Sequence, residues 1–191
     1  MARAVRQSIP EGKIILTYED YCALPNDGKR YEILEGELSV TPAPLIWHQE
    51  VLRNLVRVLD RYLEAHPIGK LLFAPVDVIL SRTTIVQPDL VFVRTANYHL
   101  VTARAIEGPP DLVLEVLSPS TTETDRVTKA QIYARSGVPH YWIVDPEGES
   151  LQAYERVGEG YRLSVQARSG EAFQHALFPK LSIHLGSIFA K

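Results

Sequence analysis

One cysteine, Cys22, is all that 191 residues supply. This excludes an intrachain disulfide framework and a thiolate zinc cluster, and it fits a reducing compartment. No apolar run approaches the roughly 20 residues needed to cross a bilayer, so no membrane role is expected. The opening MARAVRQSIPEGKIIL has three basic residues and no sustained apolar stretch, and does not read as a signal peptide. Basic excess is missing too: 20 Lys and Arg stand against 23 Asp and Glu, a formal charge of −3. The chain is therefore no general polyanion binder, although a local basic groove could still take a nucleic acid. The six histidines show no HExxH spacing. No GxGxxG or phosphate loop precedes a helix, and Ser118 and Ser120 lack the GxSxG nucleophile elbow. A soluble cytoplasmic protein is the expectation.

At 46% hydrophobic, the chain can fill one core. We expect an N-terminal arm over residues 1–16 and one domain over 17–191. Thr17, with Asp20 three residues on, opens a short helix within 17–25. RYEILEGELSV (30–40) reads as two strands around Glu35-Gly36. The stretch 45–66 places Val51, Leu55, Leu59 and Tyr62 at helical spacing. Two strands are expected at 70–81 and 85–94, then the apolar LVLEVL at 112–117. A helix follows over 121–137, with Val127, Ala130 and Ala134 as its apolar centre and Gly137 at its C-terminal cap. HYWIVD (140–145) is a strand, and SLQAYERV with YRLSVQ forms an antiparallel hairpin. The fold class is α/β (mixed α+β): a central mixed sheet flanked by helices, with an antiparallel extension.

PPDLVLEVLSPS (109–120) puts Glu115 in the middle of a strand that is apolar on both faces. Alternation sets Asp111, Val113, Glu115 and Leu117 on one side, and Leu112, Leu114 and Val116 on the other. A buried carboxylate must be protonated, paired or holding a cation. Asp89, just before LVFV, supplies a second acid if the two strands are neighbours. One divalent ion shared by both relieves repulsion and desolvation together, and oxygen ligands suit Mg²⁺ or Mn²⁺. Lys129 or Arg126 on the next helix could instead provide the positive charge. The plain alternative for Lys129 is an i,i+4 surface pair with Asp125.

The blocks YEILEGELSVTPAP, HQEVLRNL, QPDLVFVR, PPDLVLEVLSPST, TDRVTKAQIYARSGVPHYWIVDP and LFPKLSIHL together resemble the Uma2 (DUF820) family. Its members look like nucleases of the PD-(D/E)XK restriction-endonuclease-like superfamily, and the resemblance spans residues 17–189. It implies a metal-dependent endonuclease acting on DNA. Asp89 takes the place of the motif aspartate and Glu115 that of the second acid. The motif lysine should stand two residues later, where this chain has Leu117. The resemblance implies that Lys129 supplies the amine instead, to position water or stabilise charge on the phosphate. Glu37, in the GEL block, is a third candidate carboxylate and His48 a candidate phosphate or metal-water contact. Their plainer readings are a strand-edge acid and a hydrogen-bonded histidine at a helix start. Glu32 is a weaker site candidate, and Asp111 reads as support for the strand entrance. A homodimer, one site per strand of a duplex, fits the same resemblance. The alternative is a catalytically inactive nucleic-acid-binding or regulatory module, which the apolar residue at 117 favours.

Overall fold

The structure, a computed structural model, describes residues 14–190. Of the expected N-terminal arm, residues 1–13 thus lie outside the described part. The Thr17 amide and hydroxyl both donate to Asp20 Oδ2 at 2.8 Å, opening α1 (Tyr18–Cys22) as the spacing predicts. Strands β1 (Arg30–Leu34) and β2 (Glu37–Thr41) turn at Glu35 and Gly36, whose φ angles of 53° and 90° explain the glycine. Helix α2 (Ile46–Ala65) buries His48, Val51, Leu52, Leu55, Leu59 and Tyr62, the stripe read from the sequence. Full burial of each aliphatic member is worth roughly 1.5–3 kcal/mol.

The two strands expected over 70–94 are four: β3 (Gly69–Phe73), β4 (Asp77–Ser81), β5 (Thr84–Val86) and β6 (Leu90–Arg94). Pro75 and Pro88 stand at the breaks, where a residue without an N–H cannot continue a ladder. The chain also changes sheets there. β3 and β6 join a six-stranded sheet, β11-β10-β9-β8-β6-β3, while β4 and β5 join a five-stranded one, β2-β1-β5-β4-β7. Here β7 is Ala105–Glu107, β8 Leu112–Val116, β9 His140–Asp145, β10 Ser150–Val157 and β11 Gly160–Arg168. The expected central mixed sheet is the six-stranded one, and the five-stranded sheet, which the sequence reading did not separate from it, packs against it. Strands β8 and β9 run parallel, and the other pairs in the larger sheet run antiparallel. The β10–β11 hairpin is the expected antiparallel extension. A two-stranded ribbon, β12 (Ala172–Phe173) with β13 (Ile183–His184), precedes α4 (Leu185–Ile188).

Alternation along β8 divides the core as expected. Leu112, Leu114 and Val116 pack with α2 and the C-terminal Phe173, Phe178 and Ile188. Val113 and Leu117 pack on the other side, with Tyr133, Val138 and the five-stranded sheet's Val78, Val86 and Ile106.

The helix expected over 121–137 begins with a wide, π-type turn, Thr124–Lys129, and continues as α3 (Ala130–Ser136). Gly137, at φ 94°, ends it in the left-handed conformation. Of the apolar centre expected there, Ala134 is buried and Ala130 packs against the core, but Val127 is 51% exposed, while Asp125, Lys129, Ile132 and Tyr133 are buried. The wide turn rotates residues 124–129 relative to a regular helix, so two charged side chains occupy the inner face. Asp125 and Lys129 are therefore no surface pair.

Candidate active site

In the antiparallel β6–β8 register Leu90 faces Leu114 and Val91 faces Val113. One further step sets Asp89 opposite Glu115, on the face that carries Val113 and Leu117. Both acids line a cavity of about 290 Å³, together with Arg30, His48, Asp125 and Lys129. Four elements therefore supply the site: the start of β1, the start of α2, the β6–β8 pair and the wide turn before α3.

Asp89 Oδ1 accepts from Arg30 Nη1 at 3.2 Å, and its Oδ2 accepts from the Val116 amide at 2.9 Å. His48 Nε2 lies 3.0 Å from the same Oδ2. Glu115 Oε1 accepts from Lys129 Nζ at 3.1 Å and from the Tyr133 hydroxyl at 2.7 Å. Its Oε2 lies 3.4 Å from the Asp89 amide. Lys129 Nζ also meets Glu32 Oε1 at 3.0 Å and Asp125 Oδ1 at 3.6 Å. Glu32 Oε1 further accepts from the Gln87 amide at 2.8 Å.

The charges do not balance. Leaving His48 aside, Glu32, Asp89, Glu115 and Asp125 are four buried carboxylates against two fixed cations, Arg30 and Lys129, which leaves two negative charges. Two of the acids respond by holding protons more tightly. Burial, with Asp125, Asp89 and Glu32 nearby, pushes Glu115 up to about 8 despite Lys129. Burial likewise raises Asp125. Burial also acts against ionisation of Asp89, but His48, Arg30 and the Val116 amide outweigh it and hold that carboxyl below its usual range. Lys129 stays an ammonium: its three carboxylates overcome the burial that would deprotonate it.

A divalent ion fits this deficit. Asp125 Oδ1 is buried without a hydrogen-bond partner. By donor count, Asp89 Oδ1 and Glu115 Oε2 each keep an acceptor position. Asp89 and Glu115, with Asp125 beside them, are oxygen donors that could hold a divalent metal.

The structure thus gathers Asp89, Glu115, Lys129 and His48 in one cavity. Glu37 is not among them. It is exposed and pairs with Leu34 at the turn end of the hairpin, whereas Arg30 and Thr41, at the other end, line the cavity. Four residue steps along the strand separate the two ends, roughly 13 Å. Glu32, on the same strand face as Arg30, reaches Lys129 instead. Arg30 and Tyr133 escaped the sequence reading. The alternation of Arg30 and Glu32 along β1 was the available signal for the first, and the spacing Asp125, Lys129, Tyr133 for the second. Asp111 supports its strand entrance, accepting from the Arg94 amide at 2.7 Å and from Asn97 Nδ2 at 3.0 Å.

A separate cluster lies on the opposite face of the six-stranded sheet. His140, Glu155 and His175 offer three ligand atoms within 4.8 Å of one another, a set that could coordinate a divalent metal. Burial lowers the pKa of both histidines, with His175 pushed down to about 4. Among the described residues no helix is long and apolar enough to cross a membrane.

A family profile, Uma2, described as "Putative restriction endonuclease", matches residues 18–186. Among solved structures, one described as "a putative nuclease belonging to DUF820" from Anabaena variabilis is similar, with a TM-score of 0.74 and 16% identity over 92% of this chain and 98% of that one. At that identity the likeness shows the fold, a mixed α/β architecture of the restriction-endonuclease-like kind. No curated protein matches the sequence. With nearly its whole length inside the profile, the chain belongs to the Uma2 family.

Proposed function

We propose that the chain is a metal-dependent endonuclease that hydrolyses phosphodiester bonds in DNA. The observation that carries this reading is the charge deficit: Asp89, Glu115 and Asp125 line one cavity with Arg30 and Lys129, Glu32 adds a fourth buried carboxylate behind Lys129, and Asp125 Oδ1 has no hydrogen-bond partner. Mg²⁺ or Mn²⁺ held by Asp89 and Glu115 supplies Lewis-acid polarisation of the phosphate and a lowered pKa for water.

The chain's own groups do the rest. Two of Lys129's three N–H donors are engaged by Glu115 and Glu32, and the third faces Asp125 Oδ1 across 3.6 Å, too long for a good hydrogen bond. That donor is available to a phosphate oxygen or to the attacking water, where a fixed positive charge stabilises charge as it develops. Tyr133 and Glu32 hold the ammonium and Glu115 in place. His48 and Arg30 grip Asp89 from two sides and act as positioning residues. The same reading includes a homodimer in the cytoplasm. Strand β2, at the edge of the five-stranded sheet with Leu38 and Val40 exposed, offers a surface for such pairing.

A second reading, a nucleic-acid-binding module without activity, is favoured by Leu117. It occupies the superfamily's lysine position and is packed among apolar side chains. Single-turnover cleavage of labelled single- and double-stranded DNA and RNA with Mn²⁺ separates the two. Wild type should cut DNA. Lys129→Ala, verified as folded and metal-binding, should cut about 10² times more slowly or worse. If wild type binds these substrates and cuts none, the binding module replaces the nuclease.

A further inference from the structure

We propose that His140, Glu155 and His175 form a second metal centre, selective for zinc-class transition ions, that fastens the segment after β12 to strands β9 and β10. The place of the cluster separates it from the carboxylate cavity. His140 pairs with Leu112 of β8 and with Glu155 of β10, so it shares the sheet face of Trp142 and Val144. Glu115 pairs with Ile143 and points to the other face. Three residues along β9, about 10 Å, and the thickness of the sheet lie between the two sites.

The donor set decides the class of ion. Two imidazole nitrogens and one carboxylate suit zinc, cobalt or nickel, whereas magnesium and calcium prefer all-oxygen surroundings. His175 is held for this role. Its ring stands at 85° to that of His140 with centroids 5.1 Å apart, and it is flanked by Trp142 at 5.3 Å and Phe173 at 6.3 Å. Its Nε2 is buried without a hydrogen-bond partner and lies 3.7 Å from Glu155 Oε1. His140 Nδ1 is a second buried ring nitrogen without a partner. Ligands at the corners of a zinc tetrahedron are about 3.3 Å apart, so the three atoms must draw together. The Glu155 side chain, 36% exposed, has the freedom to close that gap.

Occupancy has a specific signature. His175 Nδ1 accepts the Leu177 amide at 3.1 Å, which assigns the proton of the neutral ring to Nε2. Ligation at Nε2 moves that proton to Nδ1, and the Leu177 amide must then find another acceptor. The ring proton is relocated, not lost.

The test is calorimetric titration of the full chain, freed of metal by chelator, with Zn²⁺, joined to ¹⁵N spectroscopy of the histidine rings. Wild type should take up zinc at this site with a rise in Tm. Glu155→Gln and His140→Gln, whose positions are only partly buried, should each weaken that binding by about tenfold or more. His175 should change from the Nε2–H to the Nδ1–H tautomer as zinc saturates, and Mg²⁺ should cause no such change. Absence of zinc uptake, unaltered uptake in both variants, or a His175 ring that keeps its proton on Nε2 at saturation would each overturn the proposal.

Discussion

Asp89 and Glu115 are each oriented by the strand that carries the other. The Val116 amide, next to Glu115, donates to Asp89 Oδ2 at 2.9 Å, and the Asp89 amide faces Glu115 Oε2 at 3.4 Å. Shortening either acid therefore disturbs the ladder as well as the charge. Asp89→Ala leaves Arg30 and the Val116 amide without their carboxylate and should cost about 3–5 kcal/mol, as for a broken buried ion pair. Asp89→Asn keeps an acceptor and should cost less. Urea denaturation of both variants checks the order, and equal losses would refute the reciprocal arrangement.

Proton linkage through Glu115 has a definite sign. Its folded pKa, about 8, lies above the ordinary 4.5. Between those values the folded chain holds a proton that the unfolded chain has released. The resulting stabilisation is complete below pH 4.5 and is lost as pH rises through 8. In chelator, wild type should therefore lose on the order of 1–4 kcal/mol relative to Glu115→Gln between pH 5 and 8.5. Denaturation curves that run parallel over that range would show that Glu115 ionises normally.

Metal binding at the carboxylate cavity competes with that proton. Millimolar Mn²⁺ should raise Tm more at pH 8 than at pH 6, by up to about 2.7 kcal/mol of stabilisation at a hundredfold excess over Kd. Asp89→Asn and Glu115→Gln should each diminish the rise. Equal responses in wild type and both variants would locate that ion elsewhere.

Lys129→Met removes the ammonium from among Glu32, Glu115 and Asp125. Those acids can relieve their repulsion by taking protons, so the variant should be destabilised more at pH 8 than at pH 5. Comparison of urea midpoints at the two pH values decides it, and a pH-independent loss would mean that Lys129 contributes packing alone.

Leu117→Lys tests the vacant motif position. Leu117 packs with Val113, Tyr133 and Tyr141, so an amine there is buried in apolar surroundings and the melting temperature should fall. Rescue of Lys129→Ala cleavage by this second substitution, in folded protein, would show that the strand can still present a lysine to the cavity.

What was legible in the sequence was whatever rests on local pattern. The Thr17–Asp20 cap, the α2 stripe, the alternation that splits β8 and the glycine after α3 all follow from spacing within a few residues. Of the candidate site, the meeting of Asp89 and Glu115 was legible because a carboxylate in an apolar strand demands a partner, whereas the choice of Lys129 over Arg126 and the inclusion of His48 came with the family resemblance. The rest depends on events that period does not register. The passage between sheets at Pro75 and Pro88 divided two expected strands into four. The wide turn at 124–129 carried Asp125 inward and Val127 outward. Arg30 reaches the cavity and Glu32 reaches Lys129 because β1 is brought there by pairing of its Ile33 with Ile85, distant in the chain.

The wide turn also has a genealogical consequence. A π-type turn holds about one residue more than a regular helical turn. Deleting one residue between 124 and 129 would restore ordinary winding and swing the side chains before the gap about 100° around the axis relative to Tyr133. Two descendants of one ancestor could then share every strand and almost every residue, yet differ in whether a charge lattice assembles around Glu115, through the loss of a single codon.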